Sequence, residues 1–341
     1  MTIREIPGRT IKSHELYGDF WLNSEPVPIS ALGGRVVLVE FWDYTCINCV
    51  HTLPYVREWH RRYERHGLVV VGVHTPKHPF ARNPEEVQKA IERFGITYPV
   101  VLDNQYLIST KYDNRFWPAI YLIDKHGYVR FQSIGEGNYL AIEHAIQTLL
   151  YDAGVREDLP VLMDAVREED MVGAVCYRST PELFTGYIRG SIGNVEGYSP
   201  ESVVDYHDPG FYVEGKFYAD GAWMNDRNCL RLTGESTTGH IIFRYLALEA
   251  NAVIKPEREA GFEVTITQDD RYLTEGNKGD DVVLGGDGRS YFVVRDPKMY
   301  SVVKNKEFGE HTVRLSAQSG SFGLYALTFV SCVIPETVSN N

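Results

Sequence analysis

The 341-residue chain has no apolar run long enough to cross a bilayer: VVLVEFW and LVVVGV fall far short of the ~20 residues that a spanning helix needs. It also lacks any cluster of Lys and Arg. With a formal net charge of -12 and an isoelectric point near 5.4, it has no surface suited to a phosphate backbone, where affinity rests on grouped cations. Cysteine is scarce and odd in number: of five, Cys176, Cys229 and Cys332 are scattered, unlike a disulfide scaffold. They read as small buried hydrophobes in a chain kept in a reducing compartment. The opening residues, MTIREIPGRTIKSHEL, lack the apolar core and small-residue cleavage site of a secretory leader, although a trimmed terminus would read the same. The expected location is cytoplasmic, or the envelope or periplasm if the N-terminus has been processed.

What is present divides near residue 155. From Val36 to Leu150, short β-branched runs (VVLVEFW, LVVVGV, YPVVLD, AIYLID, VRFQSI) alternate with helical periods (PYVREWHRRYERH, PEEVQKAIERFG, YLAIEHAIQTLL). That alternation predicts an α/β domain over residues 1–152, a central mixed sheet flanked by helices. Residues 153–173 are charged and patternless, and read as a linker. From 174 to 336 the pattern becomes all-β: HIIFRYLALEANAVIK, FEVTITQ, RSYFVVR, HTVRLSAQ and LYALTFVSCVI are separated by Gly-Asp, Gly-Asn and Asp-Gly turns. This predicts a β-sandwich, with 337–341 as a tail.

The stretch VEFWDYTCINCVHTLP holds two cysteines, Cys46 and Cys49, between a strand and a helix. A c-type haem would need His directly after the second Cys, but Val50 intervenes before His51. A zinc ribbon needs a second close pair; none exists, and His74 and His78 follow a strand rather than sit on a helix face. Two structural thiols are the commonest fate of isolated cysteines, but a CxxC at a strand-to-helix junction points to a redox couple. At a helix N-terminus, free N–H groups and the helix dipole stabilise a thiolate on Cys46, the exposed nucleophile. Cys49, within one helical turn, is the buried resolving thiol. The intervening Ile47 and Asn48 carry neither His nor Pro, and so leave the redox poise open.

The segment VVLVEFWDYTCINC resembles the strand, Trp-containing loop and active site of the thioredoxin superfamily. The continuation HTLPYVREWHRRYERHGLVVVGVHTP, with GITYPVVLDN, FWPAIYLIDKHG and IGEGNYLAIEHAIQTLL, is similar to its TlpA-like branch, and more narrowly to the soluble part of DipZ-type proteins. TPELFTGYIRG, FYADGAW, RYLALEANAVI and DPKMYSVV resemble that family's C-terminal sandwich, which is jelly-roll or carbohydrate-binding-module-like. The resemblance implies a thioredoxin fold and a thiol-disulfide oxidoreductase. No cofactor or metal is expected beyond a redox-active Cys46–Cys49 disulfide. The implied partners are a protein disulfide substrate and a recycling redox protein, with a carbohydrate or protein ligand open for the sandwich.

Laid on the family's motifs, Pro118 in FWPAI matches the cis-proline facing the active site, which keeps a backbone edge open for an extended substrate. Its bland alternative is a trans proline opening a strand. Trp117 stands ready either to shape what docks beside Cys46 or simply to pack, and Trp42, Ile47 and Asn48 complete the implied substrate contacts. Glu40, six residues before Cys46, matches a buried acid serving the second thiol as proton acceptor. A carboxylate in an apolar strand should bind its proton tightly; the alternative is a strand-end glutamate reaching water. After HTP, where relatives carry Glu and aromatics, this chain reads Lys77, His78, Pro79, Phe80, either a titratable influence on the site or a solvated loop.

In the second half Tyr187, Trp223, Tyr245, Tyr291, Phe292, Tyr300 and Tyr325 are more simply core than sugar platforms. Asp280, Asp281 and Asp287 do not match a calcium loop, and GDGRS reads as a hairpin turn. Two other functions stay in view. A thiol peroxidase would want Thr three residues before the Cys, whereas Thr45 sits one before Cys46. A binding module on a redox-inactive scaffold is the other.

Overall fold

A computed structural model describes residues 2–6, 11–233, 238–258 and 260–333, so the last three sandwich positions and the tail lie outside the described residues. The chain divides into two compact units, Met1–Asp170 and Met171–Asn341.

In chain order the first unit contains β1 (Thr2–Glu5), β2 (Trp21–Leu22), β3 (Val36–Trp42), α1 (Ile47–Tyr63), β4 (Leu68–His74) and α2 (Pro84–Phe94). It continues with β5 (Val100–Leu102), α3 (Leu107–Lys111), β6 (Ala119–Ile123), β7 (Val129–Ile134) and α4 (Tyr139–Ala153). The strands form one mixed sheet in the order β1-β7-β6-β3-β4-β5-β2, with β3 parallel to β4, β4 parallel to β5 and the other pairs antiparallel. All seven residues of β3 are buried, as expected of a central strand covered on both faces. Its side chains alternate between two cores: Val36, Leu38 and Trp42 join one, Val37, Val39 and Phe41 the other. α2 starts where the Asn83 side chain accepts from Glu85 N–H with Pro84 at the first helical position, and stops at left-handed Gly95, φ 62°.

The segment expected as a linker belongs mostly to this unit. Leu159 and Met163 pack against the core that holds α1 and α4. The backbone N–H of Met163 donates to Glu143 at 2.8 Å, that of Val166 donates to the Tyr55 hydroxyl at 2.9 Å, and Arg62 donates to the Val161 carbonyl. Tyr55 Oη in turn donates to Asp170 at 2.8 Å. The strap at 153–170 is held through its backbone and Asp170, while Arg156, Asp158, Asp164 and Glu168 stay exposed.

The named strand pairs of the second unit are antiparallel, in line with the all-β expectation, with an isolated parallel bridge between Ile192 and Phe217. It runs β8 (Val175–Cys176), β9 (Leu183–Phe184), β10 (Val203–Tyr206), β11 (Phe217–Asn225), β12 (Leu230–Leu232) and β13 (Gly239–Pro256). Then come β14 (Phe262–Gln268), β15 (Arg271–Tyr272), β16 (Val283–Leu284), β17 (Ser290–Val294), β18 (Lys298–Ala317), β19 (Phe322–Val330) and β20 (Cys332–Val333). The layers are hydrogen-bonded into one sheet because its long strands change partners along their length. Residues 240–243 of β13 pair with β11 and 249–256 with β19, and the register against β18 shifts between Ala247 and Glu249 and again between Ala250 and Asn251. Such irregularities bend a strand so that it can serve two layers. Trp223, Tyr245, Phe292, Tyr300 and Tyr325 are buried, while Tyr187 and Tyr291 are half-buried. Asp280, Asp281 and Asp287 pair with Lys304, Lys298 and Arg289, and GDGRS links β16 to β17.

Two cysteine expectations are overturned. Cys176 is exposed and Cys332 half-buried, and they form a disulfide across the directly opposed pair of β8 and β20. Sequence distance concealed this: 156 residues separate them, and only closure of the β-unit brings its first and last strands side by side. Cys229 alone is a small buried residue, 4% exposed. Replacing Cys176 and Cys332 together by Ser frees a 156-residue loop and should cost the second unit about 2–4 kcal/mol of unfolding free energy. Urea unfolding followed on this unit measures it; an unmoved midpoint would show that the bridge does not hold the fold.

Candidate active site

β3 ends at Trp42, and Asp43, Tyr44 and Thr45 carry the chain into α1. Asp43 is fully buried and organises this turn: one oxygen accepts from Thr45 N–H at 2.7 Å and from the Thr45 hydroxyl, the other from Lys77 N–H at 2.8 Å. The Asp43 carbonyl accepts from Cys46 N–H at 3.1 Å. Sequence reasoning passes over Asp43; its signal is the D-x-T spacing, which favours a side-chain-to-backbone turn.

Cys46 is the N-cap of α1, in extended backbone at φ -95° and ψ 111°, with no side chain capping the helix. The free N–H groups of the first turn therefore converge beside its sulfur. Cys46 is not the exposed thiol expected from the sequence: it is 5% exposed, covered in the same core as Cys49, which lies in that first turn and is fully buried; both are free thiols. Burial, more than anything else, pushes the Cys49 thiol well above its ordinary value, with Cys46 reinforcing the shift and the Asp43 backbone opposing it. The Trp117–Pro118 peptide is cis, and Cys46 Sγ lies 3.9 Å from the Trp117 carbonyl as a weak donor. Trp117 is half-buried and Pro118 buried, Ile47 is half-buried, Asn48 is exposed, and Trp42 is entirely buried. Trp42 is thus wall rather than surface, whereas Ile47, Asn48 and Trp117 keep some exposure.

Glu40 does not reach water. It is fully buried, and by strand alternation it faces the core that contains Cys46 and Cys49. Its Oε2 accepts from the Tyr98 hydroxyl at 3.0 Å, while Oε1 has no hydrogen-bond partner. Burial raises its carboxyl to about 8, against the weaker opposing pull of Tyr98. The loop after β4 is not solvated either. His74, Thr75 and His78 are buried, His78 stacking on Phe80 at 5.6 Å. His74 Nε2 lies 3.7 Å from the Asp43 carboxylate, but burial pulls its imidazole toward the neutral form. Among the described residues no group of three or more His, Cys, Asp or Glu is placed to hold a metal.

A second network, invisible in the sequence, ties the strap at 153–170 to α1. Glu136 Oε1 meets His51 Nδ1 at 2.8 Å and Arg167 at 2.6 Å, and Arg167 also lies 3.7 Å from Asp170. Burial would raise the Glu136 carboxyl, but His51 and Arg167 outweigh it and hold it below its ordinary value. His51 follows Cys49 by two residues, so the strap is anchored within a turn of that buried thiol.

Comparison with known proteins agrees with this geometry. Residues 9–132 match the AhpC/TSA family and residues 180–329 the thioredoxin like C-terminal domain. The thiol-disulfide oxidoreductase YkuV of Bacillus subtilis (strain 168) is 32% identical over 125 residues, 36% of this chain and 84% of YkuV. The chain belongs to the thioredoxin-like thiol-disulfide oxidoreductases. Protein DipZ of Mycobacterium tuberculosis (strain CDC 1551 / Oshkosh) is 32% identical over 304 residues, or 88% of this chain, a span longer than either unit. The chain spans 40% of the length of DipZ. A crystal structure of a thioredoxin-like superfamily protein covers 44% of this chain and all of its own, at 27% identity and a TM-score of 0.40.

The buried carboxyl makes a pH test direct. Glu40 rises from 4.5 to about 8 on folding, so within that window the unfolded chain has lost a proton that the folded chain keeps. The group therefore lowers stability as pH rises through the window, by about 5 kcal/mol at most, and has no such effect below it. Glu40→Gln should match the parent near pH 4 and exceed it by several kcal/mol at pH 8 in urea unfolding of the first unit. Equal pH slopes in the two proteins would rule out the raised carboxyl.

Proposed function

We propose that the chain is an enzyme that exchanges disulfides with protein substrates through Cys46 and Cys49. The Cys46 thiolate attacks a substrate sulfur, the mixed disulfide forms, and Cys49 attacks Cys46 to release the reduced substrate and leave a Cys46–Cys49 disulfide. The observation that carries this reading is the pairing of a helix-capping Cys46, its sulfur beside the Trp117 carbonyl, with a buried Cys49 one turn on. Resolution requires a proton to leave Cys49 within a closed core. Glu40, which faces the core holding Cys49 and has one unpartnered oxygen, is the group we assign to accept it, in the carboxylate form that its raised carboxyl makes strongly basic. Pro118 and Trp117 present the backbone edge along which an extended segment lies, with Ile47, Asn48 and the 59%-exposed Phe116 as flanking contacts. A second redox protein recycles the pair, and the C-terminal unit presents substrate or docks that partner.

No helix of the described residues is long and apolar enough to cross a membrane. An exposed Cys176–Cys332 disulfide persists where the surroundings are oxidising, which favours the envelope or periplasm over the cytoplasm as the working compartment.

The AhpC/TSA match keeps peroxidase chemistry as a second reading, but the Thr45 hydroxyl donates to Asp43 and is committed to the turn before α1. Insulin reduction and oxidation by hydrogen peroxide, measured side by side, separate the two. We expect insulin reduction to fall at least 100-fold in Cys46→Ser, and peroxide to oxidise Cys46 slowly. Cys49→Ser should hold an insulin chain on Cys46 as a mixed disulfide visible by mass spectrometry. Rapid peroxide oxidation with no insulin captured would replace the proposal by the peroxidase.

A further inference from the structure

We propose that His74 is a positioning residue of the redox couple, which takes up a proton as Cys46 ionises and so offsets the carboxylate of Asp43. The inference rests on the oxidoreductase reading above and deepens its first step. By strand alternation His74 shares a face of β4 with Leu68 and Val70, which belong to the core that holds Cys46 and Cys49. Its ring stacks on Tyr44 at 5.5 Å and meets the edge of Trp42 at 5.2 Å. The side chain is fully buried, yet neither ring nitrogen has a hydrogen-bond partner, and Nε2 lies 3.7 Å from the Asp43 carboxylate. A buried imidazole without such partners destabilises the fold as mere packing, but it can bind a proton without breaking any bond.

Asp43 creates the need. Its carboxylate accepts from Thr45, the residue before Cys46, and its carbonyl accepts from Cys46 N–H at 3.1 Å, so a negative charge is fixed at the turn where a thiolate must form. Like charges oppose each other most strongly in a dry core. From the β3–α1 turn Asp43 and Tyr44 face His74, and from the end of β5 Asp103 does; both carboxylates favour the imidazolium. Glu86 and Arg93 of α2 act on Tyr44, and Lys77 and His78 follow His74 on its own loop, Lys77 bonded to Asp43 through its backbone. Burial outweighs the two carboxylates and holds the ring neutral while both thiols keep their protons. A thiolate on Cys46 adds a third negative charge and tips that balance. Cys46 gives up one proton and His74 gains one; no bond between heavy atoms changes, and the net charge of the site is the same before and after. The imidazolium and Asp43 then form an ion pair, and the thiolate meets a neutral pair in place of a bare carboxylate.

The test uses the full chain carrying Cys49→Ser, so that iodoacetamide alkylation read by mass spectrometry follows Cys46 alone at this site. Coupling to His74 should make the rate rise with pH in two steps. Adding His74→Asn, or His74→Phe, which keeps a ring against Tyr44, should remove the lower step: alkylation slows by about tenfold near pH 6 and agrees within about twofold near pH 10. A packing role alone would shift the rate equally at every pH. A second measurement needs no substitution: imidazole 15N shifts of the unaltered chain should show His74 keeping its proton to higher pH in the dithiol than in the Cys46–Cys49 disulfide. Superposed alkylation profiles, or the same His74 titration in both redox states, in a chain that reduces insulin would overturn the role of His74 and leave the oxidoreductase intact. Failure of the unaltered chain to reduce insulin would overturn both readings.

Discussion

A carboxyl group held in a strand that has no access to water constrains the redox unit more than any other feature. β3 lies between β4 and β6 and is covered on both faces, so its alternation places Glu40 in the core that receives Cys49. Keeping Glu40 neutral is the least costly way to bury it, and the same burial that lifts its carboxyl to about 8 also lifts the Cys49 thiol. The apolar content of β3 and the chemistry of the thiols are two sides of one desolvation.

Asp43 shows the opposite solution to the same problem. It too is fully buried, but three donors, two from Thr45 and one from Lys77, satisfy its oxygens. Asp43 fixes the turn before Cys46, whereas Glu40 keeps one oxygen without a hydrogen-bond partner. The strap at 153–170 adds rigidity at the other end of the same helix turn, where Glu136, His51 and Arg167 meet. Arg167 is thus linked through Glu136 to His51 of α1, although it lies 118 residues beyond Cys49 in the chain.

The C-terminal unit is governed by strand length. Eighteen residues of β13 and twenty of β18 are more than one layer needs, and the register shifts between them let the same strands hydrogen-bond to partners in different parts of the sheet. Aromatic side chains then fill the interior, so the abundance of Tyr and Trp in this half is a packing property. Closure of the sheet also decides the fate of two cysteines that a linear reading treats as inert.

Much of the redox unit was legible before any coordinates. Its strands and helices follow from period-2 and period-3.6 patterns, and Cys46, Cys49 and Glu40 stand out because each is chemically anomalous in its local run. Local pattern could not extend to the strap: Leu159 and Met163 are too sparse to signal a core face, and the contacts that hold it, backbone N–H groups to Glu143 and Tyr55 and Arg167 to Glu136, join residues distant in the chain. Nor could it reveal that Trp42 is walled in while Trp117 stays half-exposed, since both are large aromatics beside the motif. By itself the sequence determined which residues carry reactive groups and which elements bear them, because both depend on near neighbours along the chain. Only the tertiary structure decided that Asp43 is saturated, that Glu40 is dry and that Cys176 meets Cys332. Burial and long-range pairing depend on what folds over a residue, not on what stands next to it.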